Sequence, residues 1–320
     1  MLSQQRGVAL ITALLVVAIA TVAAVAMATR QQIDIRRTGG LLHGEQAYAF
    51  SLGAEAWAQV VLRRDKRESE IDTLYEDWST QPPVSVVEGG SVVGRILDLQ
   101  GRFNVNNLVD GSGVADKDAI ARYKRLLRQL DLDEALADAL ADWIDTDINV
   151  RFPDGAEDEV YLGAPTPYRA ANRLLADISE LRLVRGYDPD IIDTLRPFVA
   201  ALPEVTALNV NTAGAEVLST VAEDMSLADG ESLLEARGED GFATVDKFIQ
   251  QKELSGKKQL TTAQLAVESN WFLMVSEANI GLSRARLASL IQRTDKGVLV
   301  VRRQREFLEP VVAPVPEQGE

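Results

Sequence analysis

Between Val8 and Thr29 the chain carries no charged side chain. As a helix, a run of about 22 residues at about 1.5 Å each is roughly 33 Å long, enough to cross a hydrocarbon core of about 30 Å. It is sharply bounded. Arg6-Gly7 lies directly ahead of it, and Arg30, Gln31, Gln32, Asp34, Arg36 and Arg37 follow. Any fold containing such a segment must bury it in lipid or lose it by cleavage. Three readings follow. It is a plain transmembrane anchor. It is a secretory signal, for which Ala26-Met27-Ala28 supplies an A-x-A cleavage site, although the run exceeds the usual about 7–15 apolar residues. Or it is cut on its N-terminal side, where Gly7, lacking a side chain, admits a protease to extended backbone.

Composition narrows the chemistry. There are no cysteines, which excludes disulfides, zinc-thiolate sites and thiol catalysis, and a single histidine, His43, which excludes a multi-histidine metal site. A net charge of −15 opposes extended contact with nucleic-acid phosphates. No glycine-rich phosphate loop or nucleophile motif is present, and His43 has no acid or serine at an evident spacing. The residues therefore point away from an enzyme.

Downstream of the apolar run, Leu41, Leu42, Ala49, Leu52, Ala56, Val60 and Val61 recur at near-helical spacing, with no proline before Pro82. One helix over Val8–Leu62 is predicted, half embedded and half amphipathic, with Tyr48 and Trp57 as core anchors and His43 an ordinary stem residue. Val84–Val87 and Ser91–Leu99 read as a hairpin. Further strands are predicted only at Asn270–Ile280, Arg284–Arg293 and Gly297–Arg303. The economical solution is one antiparallel sheet drawing on both groups and packed on the N-terminal helix, an α+β fold with the intervening residues inserted.

That insertion reads as helices: Lys117–Leu130, Asp133–Ile144, Asp177–Leu183, Pro189–Ala200, Ala213–Ala222, Leu227–Ala236, Thr244–Gln251 and Thr261–Ala266. It contains an internal echo. Phe103-Asn104-Val105-Asn106-Asn107-Leu108 is matched by Leu208-Asn209-Val210-Asn211-Thr212-Ala213. In both, an apolar-Asn-Val-Asn turn precedes a helix, with asparagine or threonine available as N-cap. The tail from 309 to 320 has three prolines and no periodicity, and reads as disordered.

One cluster could hold a metal: Asp142-Trp143-Ile144-Asp145-Thr146-Asp147-Ile148-Asn149, then Asp154-Gly155-Ala156-Glu157-Asp158-Glu159. Asp145-x-Asp147-x-Asn149 copies the first ligands of an EF-hand loop, but Val150 occupies the position of the sharp-turn glycine and Glu157 lies one residue beyond the bidentate position. It is not an EF-hand. Hard oxygen ligands are dense enough for calcium, and a solvated acidic loop with helix caps is the alternative. A second acidic turn, Asp110-Gly111-Ser112-Gly113 with Asp116 and Asp118, reads as a loop and an N-cap.

The short leader ending in Gly7 resembles that of the type IV pilins and pseudopilins. Thr12, the asparagine turns and the acidic loop together are similar to the K-type minor pseudopilins of type II secretion, the general secretion pathway protein K family. The resemblance implies a type IV pilin-like fold with a large inserted all-α domain of sterile-alpha-motif-like or helix-hairpin-helix-like units. Its divisions are a prepilin leader (1–7), a transmembrane half-helix (8–29), stem and first strands (30–100), an insertion (101–266, in two related parts meeting near 200) and the remaining strands (267–308).

It further implies cleavage between Gly7 and Val8 by a membrane prepilin peptidase, and N-methylation of Val8. Pilins usually carry glutamate where Thr12 stands, to neutralise a neighbouring subunit's amine. Its absence fits a filament tip, whose subunit has no neighbour ahead. Calcium would sit in the acidic loop, on Asp145, Asp147, Asn149, Asp154, Glu157 and Asp158. Partners would be the I-, J- and H-type minor pseudopilins. The chain would be a single-pass inner-membrane protein with its body in the periplasm, a non-enzymatic subunit starting a filament that exports folded proteins. Charge counting opposes that orientation, because Arg30, Arg36 and Arg37 flank the side that pilins place outside. The other class is a membrane-anchored periplasmic binding protein that recruits secreted substrates.

Overall fold

The computed structural model describes residues 5–258, 260, 262–305 and 309. Helix α1 runs Gln5–Glu68, longer at both ends than its apolar pattern suggests, and at about 1.5 Å per residue reaches roughly 95 Å. Lys66 and Arg67 in its last turn suit the negative end of the helix dipole. Its second half lies on a five-stranded antiparallel sheet formed by β1 (Ser85–Val87), β2 (Gly90–Asp98), β7 (Trp271–Ile280), β8 (Ser283–Thr294) and β9 (Gly297–Gln304), in the order β1-β2-β7-β8-β9. The two sequence-distant strand groups meet at β2–β7, in register from Gly90 opposite Ile280 to Asp98 opposite Phe272. Gly90 is obligatory there, since a Cβ would lie 1.7 Å from the Asn279 carbonyl oxygen.

The face of α1 that meets the sheet differs from the predicted one. Ala47, Ser51, Ala58 and Leu62 are buried, whereas Leu41, Leu42 and Val60 are exposed. Trp57 is not a core anchor: it is 39% exposed, and Tyr48 is half-buried with Arg305 over its ring at 4.1 Å. The reason is closeness of approach. Small side chains at helical spacing let α1 sit down on β7 and β8, so the bulkier residues turn outward. Leu62, Trp78, Ile96, Phe272 and Ile291 fill the resulting core, with Trp78 edge-on to Phe272 at 5.3 Å. Each such side chain contributes about 1.5–3 kcal/mol on burial. His43 packs beside Gly281 in the β7–β8 turn.

Between β2 and β7 lies the inserted helical region. Its elements are β3 (Phe103–Asn104), α2 (Lys117–Gln129), α3 (Ala135–Ile144), α4 (Asp158–Leu162), α5 (Pro189–Leu195), β4 (Val199–Ala200), β5 (Leu208–Asn209), α6 (Ala215–Leu218), α7 (Leu227–Arg237), α8 (Val245–Ile249) and β6 (Leu265–Ala266). Short 3-10 turns cover Val105–Leu108, Ile178–Leu183, Lys252–Leu254 and Thr262–Gln264. The region is not all-α. Two parallel pairs, β3 with β4 and β5 with β6, close its two halves. Val199–Ala200 and Leu265–Ala266 are therefore strands where the pattern predicts helix, because each pairs with an apolar-asparagine dipeptide about 60–100 residues earlier, a non-local contact that overrides local pattern. Residue 261, where the last predicted helix begins, lies outside the described residues. A single apolar core from Phe103 to Leu265 runs through both halves.

Candidate functional site

The insertion leaves the sheet at Asp98 and returns at Ser269, just beyond the end of the stem. Gln100 ties exit to return, its Oε1 accepting from the backbone N–H groups of Asn270 (2.6 Å) and Trp271 (3.1 Å). Beside it, Arg293 of β8 is buried and pairs with Asp65 of α1 and Asp72, while donating to the Ser269 carbonyl at 2.7 Å. Asp98 Oδ2 accepts from Ser269 Oγ (2.6 Å) and from Asn209 Nδ2 (3.2 Å). Burial, then the neighbouring Glu76 and Asp72, pushes Asp65 up to about 7; burial pushes Asp98 up to about 6. Stem, sheet and insertion thus share one polar junction.

Asp65, Asp72 and Glu76 bring three ligand oxygens within 4.8 Å of one another. The cation among them is the Arg293 guanidinium, and Glu76 Oε2 accepts from Thr73 N–H (2.8 Å) and Trp78 Nε1 (2.9 Å). This cluster is a structural knot.

The acidic loop is built differently. Asp142 sits in the last turn of α3 and Asp145 caps it, so the i, i+3 spacing sets both carboxylates on one side of the helix end. The chain returns at Gly155, where a Cβ would lie 2.1 Å from Asp142 Oδ2, and continues to Glu157 at the start of α4. Asp142, Asp145 and Glu157 are all buried, and Asp142 Oδ1, Asp145 Oδ1 and both Glu157 oxygens have no hydrogen-bond partner among the described residues. The Arg151 guanidinium approaches only to 3.7 Å from Asp142 and 3.9 Å from Asp145, while the Arg151 backbone N–H donates to Asp142 Oδ2 at 2.9 Å. Burial, reinforced by the neighbouring aspartates, pushes Asp145 up to about 6 and Glu157 up to about 7. Buried acceptors without donors are costly, and hard anionic oxygens of this kind suit a divalent cation such as calcium.

Of the residues singled out in sequence, Asp145 and Glu157 lie in this cluster, and Asp147 faces it closely enough to raise both their pKa values. Asn149 donates to Asp147 Oδ1 at 2.9 Å. Asp154 is half-buried on the returning loop. Asp158 turns away: its carboxylate accepts from the Ala170 N–H at 3.0 Å and lies 3.7 Å from Arg169. The ligand set read from sequence omits Asp142, although it is the most buried carboxylate of the group; its i, i+3 relation to Asp145 is the signal that could have found it. The Asp110 turn is a closed loop, with Asp110 Oδ1 accepting from Ser112 and Val114, and Asp116 caps α2.

At the other end of the molecule, α1 from Val8 onward contains a window of mean hydropathy 2.8, none of it buried against the body. Thr12 Oγ1 donates to the Ala9 carbonyl at 3.0 Å, satisfied by its own helix. Gly7 and Val8 fall within α1; residues 1–4 of the leader lie outside the described residues.

An apolar helix suited to anchoring in a membrane, continuous with the stem of an antiparallel sheet that carries a helical insertion, defines a pseudopilin. Two family models, both described as type II secretion system (T2SS), protein K, match residues 101–204 and 208–268 respectively. The type II secretion system protein K of Pseudomonas aeruginosa is 40% identical over 308 residues, covering 93% of this chain and 91% of that protein. That of Pectobacterium carotovorum subsp. carotovorum is 35% identical over 323 residues, covering 95% and 97%. The crystal structure of the GspK-GspI-GspJ complex from the enterotoxigenic Escherichia coli type 2 secretion system contains a chain that superimposes with a TM-score of 0.77 at 29% identity, covering 85% of this chain and all of that one. The chain belongs to the type II secretion system protein K family, and is a non-enzymatic minor pseudopilin of that system.

Proposed function

We propose that this chain sits at the tip of the pseudopilus and starts its assembly with the I- and J-type minor pseudopilins, the H-type beneath, so that the filament drives folded proteins across the outer membrane. The observation that carries this is the match to a chain of the GspK-GspI-GspJ complex over that chain's full length. Two features of this molecule support it. The insertion projects from the stem's far end, where it obstructs a subunit stacked above. The outward face of α1 leaves Leu41, Leu42 and Val60 exposed for helix packing with neighbours below.

In this reading the fold is pilin-like and the insertion comprises two related helix-hairpin-helix-like parts, about 101–200 and 201–266. Prepilin peptidase cuts between Gly7 and Val8, Val8 is methylated, and α1 anchors the chain in the inner membrane with its body in the periplasm. Thr12 removes the charge that would pair with a subunit ahead. Calcium is held by Asp142, Asp145 and Glu157 with Asp147, and Asp154 and Asn149 within the loop's reach; it would supply the positive charge that their oxygens lack. Nucleic acid is not a partner.

Co-expression of the full chain with I- and J-type pseudopilins, followed by purification on a tag carried by this chain, should yield a stoichiometric complex. The mature chain within it should begin at methylated Val8 by mass spectrometry. Recovery of this chain alone, bound instead to secreted substrate, would favour the membrane-anchored recruiting protein.

A further inference from the structure

Beyond Gly7, helix α1 contains four glycines, and three of them, Gly39, Gly40 and Gly44, fall within six residues. Residues 8–29 contain none. Inside a helix glycine is less favourable than any residue but proline, because it gives the unfolded backbone more freedom to lose. Relative to alanine, each glycine favours local opening by about four- to fivefold, and three together by on the order of a hundredfold. Glycine is often required where another segment approaches closely or where φ is positive. Neither reason applies here. A Cβ at any of the three would meet nothing within 4 Å, and none has a positive φ.

Their place along α1 is as telling. Residues 8–38 are exposed throughout, and contact with the body begins at the glycines. Ser283 Oγ donates to the Gly40 carbonyl at 3.1 Å, His43 lies against Gly281, and Ala47 is the first buried side chain of the stem. A bend over 39–44 therefore leaves the buried contacts of Ala47, Ser51, Ala58 and Leu62 intact. The cluster also stands about ten residues past Thr29, roughly 15 Å along a helix. Backbone groups freed there meet water, whereas in lipid each unpaired group would cost several kcal/mol.

We propose that residues 39–44 form a swivel between the anchor and the body, a short stretch where α1 opens and bends while both flanking helical segments persist. The inference rests on the reading that α1 stays on the mature chain as its membrane anchor. A rigid α1 would hold sheet and insertion at one angle to the bilayer. The swivel lets the body turn onto neighbouring subunits while the anchor keeps its own direction in lipid.

The cysteine-free sequence makes the test direct. In the full chain in lipid nanodiscs, spin labels at Gln31→Cys, ahead of the cluster, and Leu299→Cys, on β9, report the angle between anchor and body. Their distance distribution should be at least about twice as wide as that of Val86→Cys with Leu299→Cys, both on the sheet. With Gly39→Ala, Gly40→Ala and Gly44→Ala combined, it should narrow to the width of the sheet pair. These alanines enter open space, and the sheet pair in the same background checks that the body is unchanged. Amide exchange gives a second reading: residues 39–44 should exchange on the order of a hundredfold more slowly in the triple variant. A 31–299 distribution already as narrow as the sheet pair would overturn the proposal. So would a width or an exchange rate that the alanines leave unchanged. A mature chain beginning beyond Thr29 would overturn it too, through the reading beneath it, and mass spectrometry tells that failure apart from the others.

Discussion

The two asparagine turns of the insertion make the same local connections and serve different ends. In the first, Asn106 Oδ1 accepts from the Leu175 N–H (2.9 Å) while its Nδ2 donates to the carbonyls of Leu175 (2.8 Å) and Leu202 (2.7 Å). In the second, Asn211 Oδ1 accepts from the Phe242 N–H (2.7 Å) and Nδ2 donates to the Phe242 carbonyl (3.0 Å). Two residues after each of those partners a side chain caps a helical turn, Asp177 in one and Thr244 in the other. What differs lies around this frame. Asn104 Nδ2 stays inside the insertion, on Glu204 and Thr206, whereas Asn209 Nδ2 reaches the body at Asp72, Asp98 and Ser269. The link from α7 to Phe242 is only Gly238–Gly241, while the equivalent link from α3 to Leu175 is expanded into the acidic loop and α4. One half docks and the other carries the charge cluster. A repeated frame with fixed hydrogen bonding leaves its loops free to diverge.

The strongest challenge to this equivalence is to delete the second asparagines. Asn106→Ala should cost roughly 3–5 kcal/mol in urea unfolding, since it strands three buried backbone groups, and Asn211→Ala should cost nearly as much. A large loss in one and none in the other would break the parallel. Next in size is metal removal. If calcium binds, an excess of about 100 times its dissociation constant stabilises by about 2.7 kcal/mol, so a chelator should lower the melting temperature by roughly 5–10 °C. Amide exchange should then rise around 145–175 and not around 238–249, and Asp145→Ala should abolish the response.

Acid separates the halves by the other route. The folded pKa of Asp98, about 6, stands above its unfolded value of about 3.9. The folded chain therefore takes up this proton first, and the stabilisation is complete below about pH 4 and lost as pH rises through 6. Relative to Asp98→Asn, the parent chain should gain on the order of 1 kcal/mol between pH 6.5 and 4, read from urea midpoints. Substitutions at Asn104, which faces no carboxylate, should leave that difference intact. The smallest effect concerns the caps. Thr244→Ala should cost about 0.5–1 kcal/mol. Asp177→Ala should cost more, because Asp177 also receives Arg302 and Gln304 from β9.

Much of this architecture is legible in the order of residues alone. Period-two runs place all five strands of the sheet within one or two residues, because each alternates or runs apolar between turn residues over a local stretch. The asparagine echo is legible for the same reason, being a short motif repeated intact. The two-residue strands Val199–Ala200 and Leu265–Ala266 are not, since nothing local distinguishes them from helix ends; their partners lie at Phe103–Asn104 and Leu208–Asn209. In the acidic loop, spacing picks out Asp145 and Glu157 but cannot say that Asp158 turns to Ala170 while Asp142 turns inward.

By itself the sequence determined the membrane-length helix, the strand segments and the two asparagine turns, all consequences of side-chain polarity and backbone preference over a few neighbouring residues. Only the tertiary structure decided which face of α1 meets the sheet and that Arg293 binds stem to insertion. Those outcomes depend on packing distance and on charges brought together from segments more than a hundred residues apart, which no local pattern encodes.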